Sequence, residues 1–433
     1  MSTKRVLWVA LSVGCTWSYD STIDTSSTDP AGLSPCPEGQ FLALMDETCR
    51  DLDTNYGFDL VQFESQVGTA ELALGEEDCT EDALRALLDM LDKAGGGTLE
   101  LPSCEIGLTQ PIYVPSRSIL QGAGVGQSVL FVQPEWISGG SVVRVYDQSY
   151  LLDGWEAAGH DDVVLRDFTV RGLEEVAANN IEVLWSDNVL VERVDSYEAG
   201  KSALAFGSSR KLTVRYSTFH HSYLYHGIGS KDCYPDQITL KDDEDGLVSR
   251  SDCDGGDPNF WAEDYAIYSN QMYNNQGHGL DSHASFGEVA GNLITSNVHS
   301  SKFVEPAHDL WVHDTLFDGG EWWGTKISNQ YIDETDETMN LSRHVYYRNQ
   351  FSSNGTYGVR VGEGVSEIYF IQNSYTDNGE DNELRLTCDA GAVIGCSGDG
   401  VTESVVAGSE AKRVMLESDD PRCDLDQVGT LFK

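Results

Sequence analysis

The sequence predicts an all-β solenoid in which short strands stack coil upon coil, closed at one end by a helix. Three observations carry this. A short unit of apolar pair, polar residue and further apolar or aromatic residue recurs through the second half of the chain. One amphipathic helix stands ahead of it. Short β segments punctuated by Gly and Pro begin immediately after that helix.

The chain opens with Lys4 and Arg5, an apolar run from Val6 to Val13, then Gly14 and Cys15. Residues 1–15 read as an export signal, with Cys15 placed as the lipidated residue of a bacterial lipoprotein signal; plain secretion is the alternative. The run is too short to span a bilayer. Residues 16–35 are poor in large apolar side chains and suit a flexible tether that would hold the body off a membrane. Residues 36–78 read as a small disulfide loop with an acidic connector, and 79–433 as the solenoid domain with a C-terminal tail. None of the ten cysteines lies in a CxxC pair, so an exported chain should use them as disulfides. Near neighbours suggest Cys36 with Cys49, Cys79 with Cys104, Cys233 with Cys253 and Cys388 with Cys396.

The balance of 27 basic against 71 acidic residues gives a formal net charge of -44. Such a charge disfavours nucleic acid as a partner and favours divalent cations such as Ca²⁺, although no cofactor is required by the sequence. An acidic substrate would need locally placed cations.

Leu84, Leu87, Leu88 and Leu91 recur at helical spacing within 81–94, with Thr80 as cap, Glu81 and Asp82 at the positive end, and Lys93 and Gly95 at the exit. GGGTLELP follows at 95–102, IYVPS at 112–116 and SILQGAGVGQSVLF at 118–131. This run resembles the entry of the pectate-lyase-like proteins, which implies a right-handed parallel β-helix over about residues 80–380 with the helix covering its open N-terminal end. The G-x-G at 122–124 reads as a turn between coils, because no helix-forming segment follows it.

Aligning the recurrent unit on Val194, Tyr216, Asn270, Asn292, Asp314, Asn349 and Asn373 gives separations of 22, 54, 22, 22, 35 and 24. A step near 22 with insertions at 231–264 and 318–343 is what stacked coils produce. Loops of that kind gather on one face of a solenoid, where ligands bind.

The stretch HGLDSH, residues 278–283, is the most informative for chemistry. With Leu280 inward, Asp281 and His283 share the outer face. The 22-residue step places Phe303 above Asp281 and Glu305 above His283, with Lys302 adjacent, and puts Arg360 on the same stripe three coils along. HGLDSH also resembles the YG(I/F)DPH motif of mannuronan C5-epimerases. That resemblance implies catalytic roles for His283 and Asp281, puts His278 where the family has a tyrosine, and matches Ser301 and Lys302 to a serine–cation pair that neutralises the substrate carboxylate. Ser282 stands where the family has proline. A D-x-H unit can equally be a turn element of a repeat.

These residue types suit uronate chemistry, in which a base takes the C5 proton while a cation offsets the charge left on the carboxylate. His283 is the candidate base, Lys302 with Arg360 the neutralisers, Asp281 an orienting group and His278 a proton donor. Lyase cleavage and C5-epimerisation share that first step, so both remain open. Trp322 and Trp323 offer a sugar-stacking platform or merely cover coil edges. The acids at 242–245 and 254–264 are candidate Ca²⁺ ligands or a solvated face, and His220 with His221 an exposed turn. The alternatives to an exported lyase or epimerase are a non-catalytic carbohydrate-binding surface protein and a hydrolase using paired carboxylates.

Overall fold

The computed structural model describes residues 36–37, 39–52, 66–136, 140–146, 159–176, 178–231, 239–241, 247–249, 262–304, 307–328, 341–362, 365–379, 384–386, 393–396 and 413–416. The helix forms over Glu81–Lys93, and the Thr80 hydroxyl accepts from the Ala83 N–H at 3.3 Å. Leu84, Leu88 and Leu91 are buried and pack with Leu99, Leu101, Ile106 and Leu108 of the first coils, so the apolar face closes the end of the core. Three fully buried leucines stabilise this cap by about 1.5–3 kcal/mol each. A disulfide joins Cys79, just before the helix, to Cys104. Ala70–Ala73 pairs in parallel with Gly97–Glu100, so the ladder begins at residue 70, ahead of the boundary at residue 79 expected from the sequence.

Each coil from Asn188 onward holds left-handed backbone at three points five residues apart, and the last two are corners that flank a short strand such as Gln271–Tyr273. Arg193, Tyr216, Ser269, Asp314, Arg348 and Gln372 hold the left-handed backbone conformation at the first corner, and Glu198, His221, Asn274, Ser296, Ser353 and Asp377 at the second. That conformation is unfavourable for ordinary residues, so something must hold it. From the Tyr216 corner onward, the residue after each first corner does so from inside. The Asn292 side-chain carbonyl accepts from the Asn270 backbone N–H at 3.0 Å, and its amide donates to the Ile267 carbonyl at 2.8 Å. Asn349 and Asn373 repeat this bond at 3.0 Å.

Ser217 and Thr315, rather than Tyr216 and Asp314, occupy the equivalent ladder positions. The ladder steps are therefore 23, 53, 22, 23, 34 and 24. A small hydroxyl replaces the amide in those coils, while the larger neighbour takes the corner. Asn292→Ala should destabilise the fold by roughly 1–3 kcal/mol for each buried partner it orphans. Urea unfolding will measure it, and a change below 0.5 kcal/mol, the ordinary range for surface substitutions, would contradict a structural ladder.

The face that carries residues 278–283 is a ten-stranded parallel sheet whose strands run Ile112–Tyr113, Val143–Val145, Ile181–Leu184, Leu204–Gly207, Ile228–Lys231, His278–Ser282, His299–Val304, Trp323–Ser328, Tyr357–Val361 and Leu384–Leu386. Its inward residues, among them Leu280, Phe303, Ile327 and Val361, belong to the main core. On another flank an antiparallel hairpin, Gln40–Ala43 with Thr48–Asp51, is tied by the Cys36–Cys49 disulfide. The hairpin docks through Phe41 and Ala43 onto Ala266, Tyr268 and Ala290. The small disulfide loop expected from the sequence is thus a hairpin packed against the solenoid wall.

His344 is fully buried, and its Nε2–H donates to the Ala307 carbonyl at 2.9 Å. Burial holds its pKa at about 4, with His308 pushing the same way. An unfolded histidine takes up a proton below about 6.5, whereas the folded one does not, so stability should fall as pH drops from there toward 4. Thermal unfolding across this range will show the decline, and His344→Gln should make it shallower. An unchanged slope would show that imidazole burial does not set it.

Candidate active site

The outer face of the strand His278–Ser282 is set by its alternation. Leu280 enters the core and Ser282 points inward, where its hydroxyl lies 3.0 Å from Tyr265 Oη, so Asp281 and His283 face outward. Gly279 is required at the entry, because a Cβ there would meet Ile294 at 2.3 Å.

The register to the next coil is 21 residues on this face, not 22. Asp281 pairs with Lys302 and Ser282 with Phe303. The physical reason is the turn before the strand: His278 follows Asn275 by three positions, but His299 follows Asn297 by two. Lys302 therefore lies directly over Asp281, and Phe303 enters the core instead of standing outside. Glu305, expected above His283, lies outside the described residues.

Asp281 is the hub. Its Oδ2 lies 3.2 Å from His226 Nε2, 3.8 Å from Lys302 Nζ and 3.9 Å from His278 Nδ1, while Oδ1 lies 3.7 Å from His283 Nε2. The side chains of His278, His283 and Lys302 are only 11–13% exposed, so each presents an edge rather than a free surface. His226 reaches over because Gly229, the register neighbour of Asp281, has no side chain; a Cβ there would stand 2.8 Å from the His226 ring.

Burial by itself would raise the Asp281 pKa, but His226, His283, His278 and Lys302 outweigh it and hold the carboxyl below the usual carboxylate range. Burial drives His278 well below the ordinary histidine value against the opposing pull of Asp281, so its imidazole is neutral at pH 7. His299, its register partner, is lowered to about 4 by burial and by Lys326 and Lys302.

One ligand atom each of His226, His278 and Asp281 lies within 4.8 Å of the others, a geometry that admits a metal ion. Two imidazoles and a carboxylate suit Zn²⁺ or a similar ion better than the oxygen-seeking Ca²⁺ considered from the sequence. The acids at 242–245 lie outside the described residues, as does most of 254–264.

Arg360 does lie on the Asp281 stripe, three coils along, through the pairings Asp281–Lys302, Lys302–Lys326 and Lys326–Arg360. The two tryptophans divide: Trp322 is 52% exposed, whereas Trp323 stacks on His299 with centroids 4.0 Å apart. His220 is not a bare turn residue; it stacks between Tyr197 and Tyr273 and pairs with Asp195 at 3.1 Å. Cys15, Cys233, Cys253 and Cys388 lie outside the described residues, and the side chain of Cys396 is not described either. Among the described residues, no helix is long and apolar enough to cross a membrane.

His226, His299 and Lys326 are site residues that sequence reasoning missed. The insertion after residue 231 hides the 52-residue step from His226 to His278. A signal for His299 was present, since H-x-x-K at 299–302 repeats the spacing of H-x-x-D at 278–281 one coil earlier.

No protein-family model matches the chain, and no curated protein matches it. Among solved structures, the A-module of a mannuronan C-5 epimerase of Azotobacter vinelandii aligns at 16% identity and TM-score 0.48, covering 82% of this chain and 88% of the module. The tailspike protein of E. coli bacteriophage HK620, in complex with a pentasaccharide, aligns at 11% identity and TM-score 0.56, covering 87% of this chain and 68% of the tailspike. At such identity the likeness is one of architecture: the chain is a right-handed parallel β-helix, similar in fold to a phage tailspike.

Proposed function

We propose that this protein acts on a uronate-containing polysaccharide by removing the C5 proton of a sugar unit. The observation that carries the reading is the placement of Lys302 one rung above Asp281, with His226, His278 and His283 around the same carboxylate. In this reading His283 takes the C5 proton on the ring nitrogen turned away from Asp281, since Nε2 faces that carboxylate, and the C–H electron pair passes into the adjoining carboxylate. Lys302 offsets the added charge there. Asp281 orients the imidazoles, since an anion below the usual carboxylate range would repel the substrate carboxylate if it touched it. His278, neutral through burial, is a hydrogen-bonding and positioning group rather than an imidazolium donor. Reprotonation of C5 on the opposite face gives the epimer; expulsion of the sugar linked at C4 gives an unsaturated uronate.

The tailspike that shares the fold is seen with a bound pentasaccharide, which supports a carbohydrate ligand for this chain. Incubation with alginate and polygalacturonate, followed by ultraviolet absorbance for unsaturated ends and by NMR of the polymer for inverted C5 centres, tests the proposal. Silence in both assays on both polymers would overturn it and leave carbohydrate binding without turnover.

A further inference from the structure

The row of outward residues that contains Asp281 is electrostatically one-sided. Toward the C-terminal end it continues through Lys302, Lys326 and Arg360 on successive coils, with Arg385 at the next register position. Toward the N-terminal end it runs through Gly229 and Ala205 to Glu182. Glu182 is buried and accepts from Ser141 and Tyr146, and the next residue in the row, Arg144, bonds Tyr113 and lies over the Tyr113 and Tyr146 rings. Among the described residues of this row, cations follow Asp281 without interruption on one side only.

A second row runs beside the first, offset by three residues. It carries His278, His299, Trp323 and Tyr357, and both Lys326 and Arg360 lie over the Trp323 ring, at 5.6 and 5.9 Å. Four buried polar atoms in these two rows have no hydrogen-bond partner: Trp323 Nε1, Arg360 Nε, His299 Nδ1 and, at the anionic end, Asp281 Oδ1. Two are N–H donors, and buried donors left unpaired are costly unless a ligand or water satisfies them. Clustered on one face, beside cations concentrated there in a chain of net charge -44, they call for an acceptor-rich anion. The rungs are about 4.8 Å apart, comparable with one sugar unit of an extended chain.

We infer that Lys326, Arg360 and Trp323 form carboxylate-binding subsites for a polyuronate that extends from Asp281 toward the C-terminal end only, so that the unit over Asp281 is at or near one end of the bound segment. The identity of the ligand rests on the function proposed above; the one-sided site rests on the two rows alone.

The test uses His283→Ala as host, so that binding is read without turnover, and measures calorimetric affinity for uronate oligomers of two to eight units and for the same oligomers with esterified carboxyls. Affinity should rise with length to about four units, matching the rungs of Asp281, Lys302, Lys326 and Arg360, and then level off. Adding Lys326→Met and Arg360→Met should weaken binding of the free-acid hexamer by about tenfold or more while leaving the esterified hexamer unchanged. Arg210→Met, which removes a cation from another sheet, should change neither. Equal losses for Arg210→Met and the double variant, or full affinity in a folded double variant, would overturn the inference, as would a host that binds no free acid. If the double variant loses affinity but the unmodified enzyme shows no C5 chemistry, the subsites stand and the proposed reaction falls.

Discussion

His283→Ala is expected to lower turnover of a polyuronate by about 10²- to 10⁴-fold, the usual contribution of a positioned general base. The loss should fall on kcat, because the imidazole edge meets the C5 proton only as it departs, while binding depends on cations elsewhere. The His283 side chain is only 12% exposed but lies outside the hydrophobic core cluster, so truncation removes packing around Asp281 rather than core contacts and the thermal midpoint should fall modestly. Single-turnover rates with saturating oligomer, alongside circular dichroism of the variant, separate these quantities. A variant as active as the parent would eliminate His283 as the base and move attention to His226, the imidazole nearest Asp281.

Lys302→Met is expected to reduce turnover by about 10²- to 10³-fold, the size of effect seen when one donor to a developing oxyanion is removed. Methionine keeps most of the apolar stem, so the change isolates the ammonium group. KM should rise as well, because the same cation meets the ground-state carboxylate, and added salt should affect the parent more than the variant. Loss of the cation also leaves Asp281 with one fewer positive neighbour, which should bring its pKa back toward the ordinary carboxylate range. If kcat and KM are unchanged, charge neutralisation at this rung is not part of the reaction.

Much of the architecture was legible because it repeats. The helix over Glu81–Lys93 follows from leucine spacing and a capping threonine, and the coils follow from asparagines that recur at most of the left-handed corners held from inside. Reading failed at Tyr216 and Asp314, where hydroxyl residues stand in for asparagine and a one-residue shift is invisible in composition. The candidate site was legible in part. Strand alternation put Asp281 and His283 on one outer face and the coil offset put Arg360 on the Asp281 stripe, whereas Lys302 was expected beside that stripe and lies on it.

The sequence by itself therefore determined the solenoid, its capping helix and the stripe of polar residues on one face. Only the tertiary structure decided how the rungs meet. The 21-residue register that seats Lys302 over Asp281 arises from one residue missing in a turn, and His226 enters the site through the space above Gly229 across an insertion of unpredictable length. Strand alternation is written in neighbouring residues. Register between coils is set by turn length and by what the core will accept, so it emerges only when Phe303 and Leu280 have been packed inside.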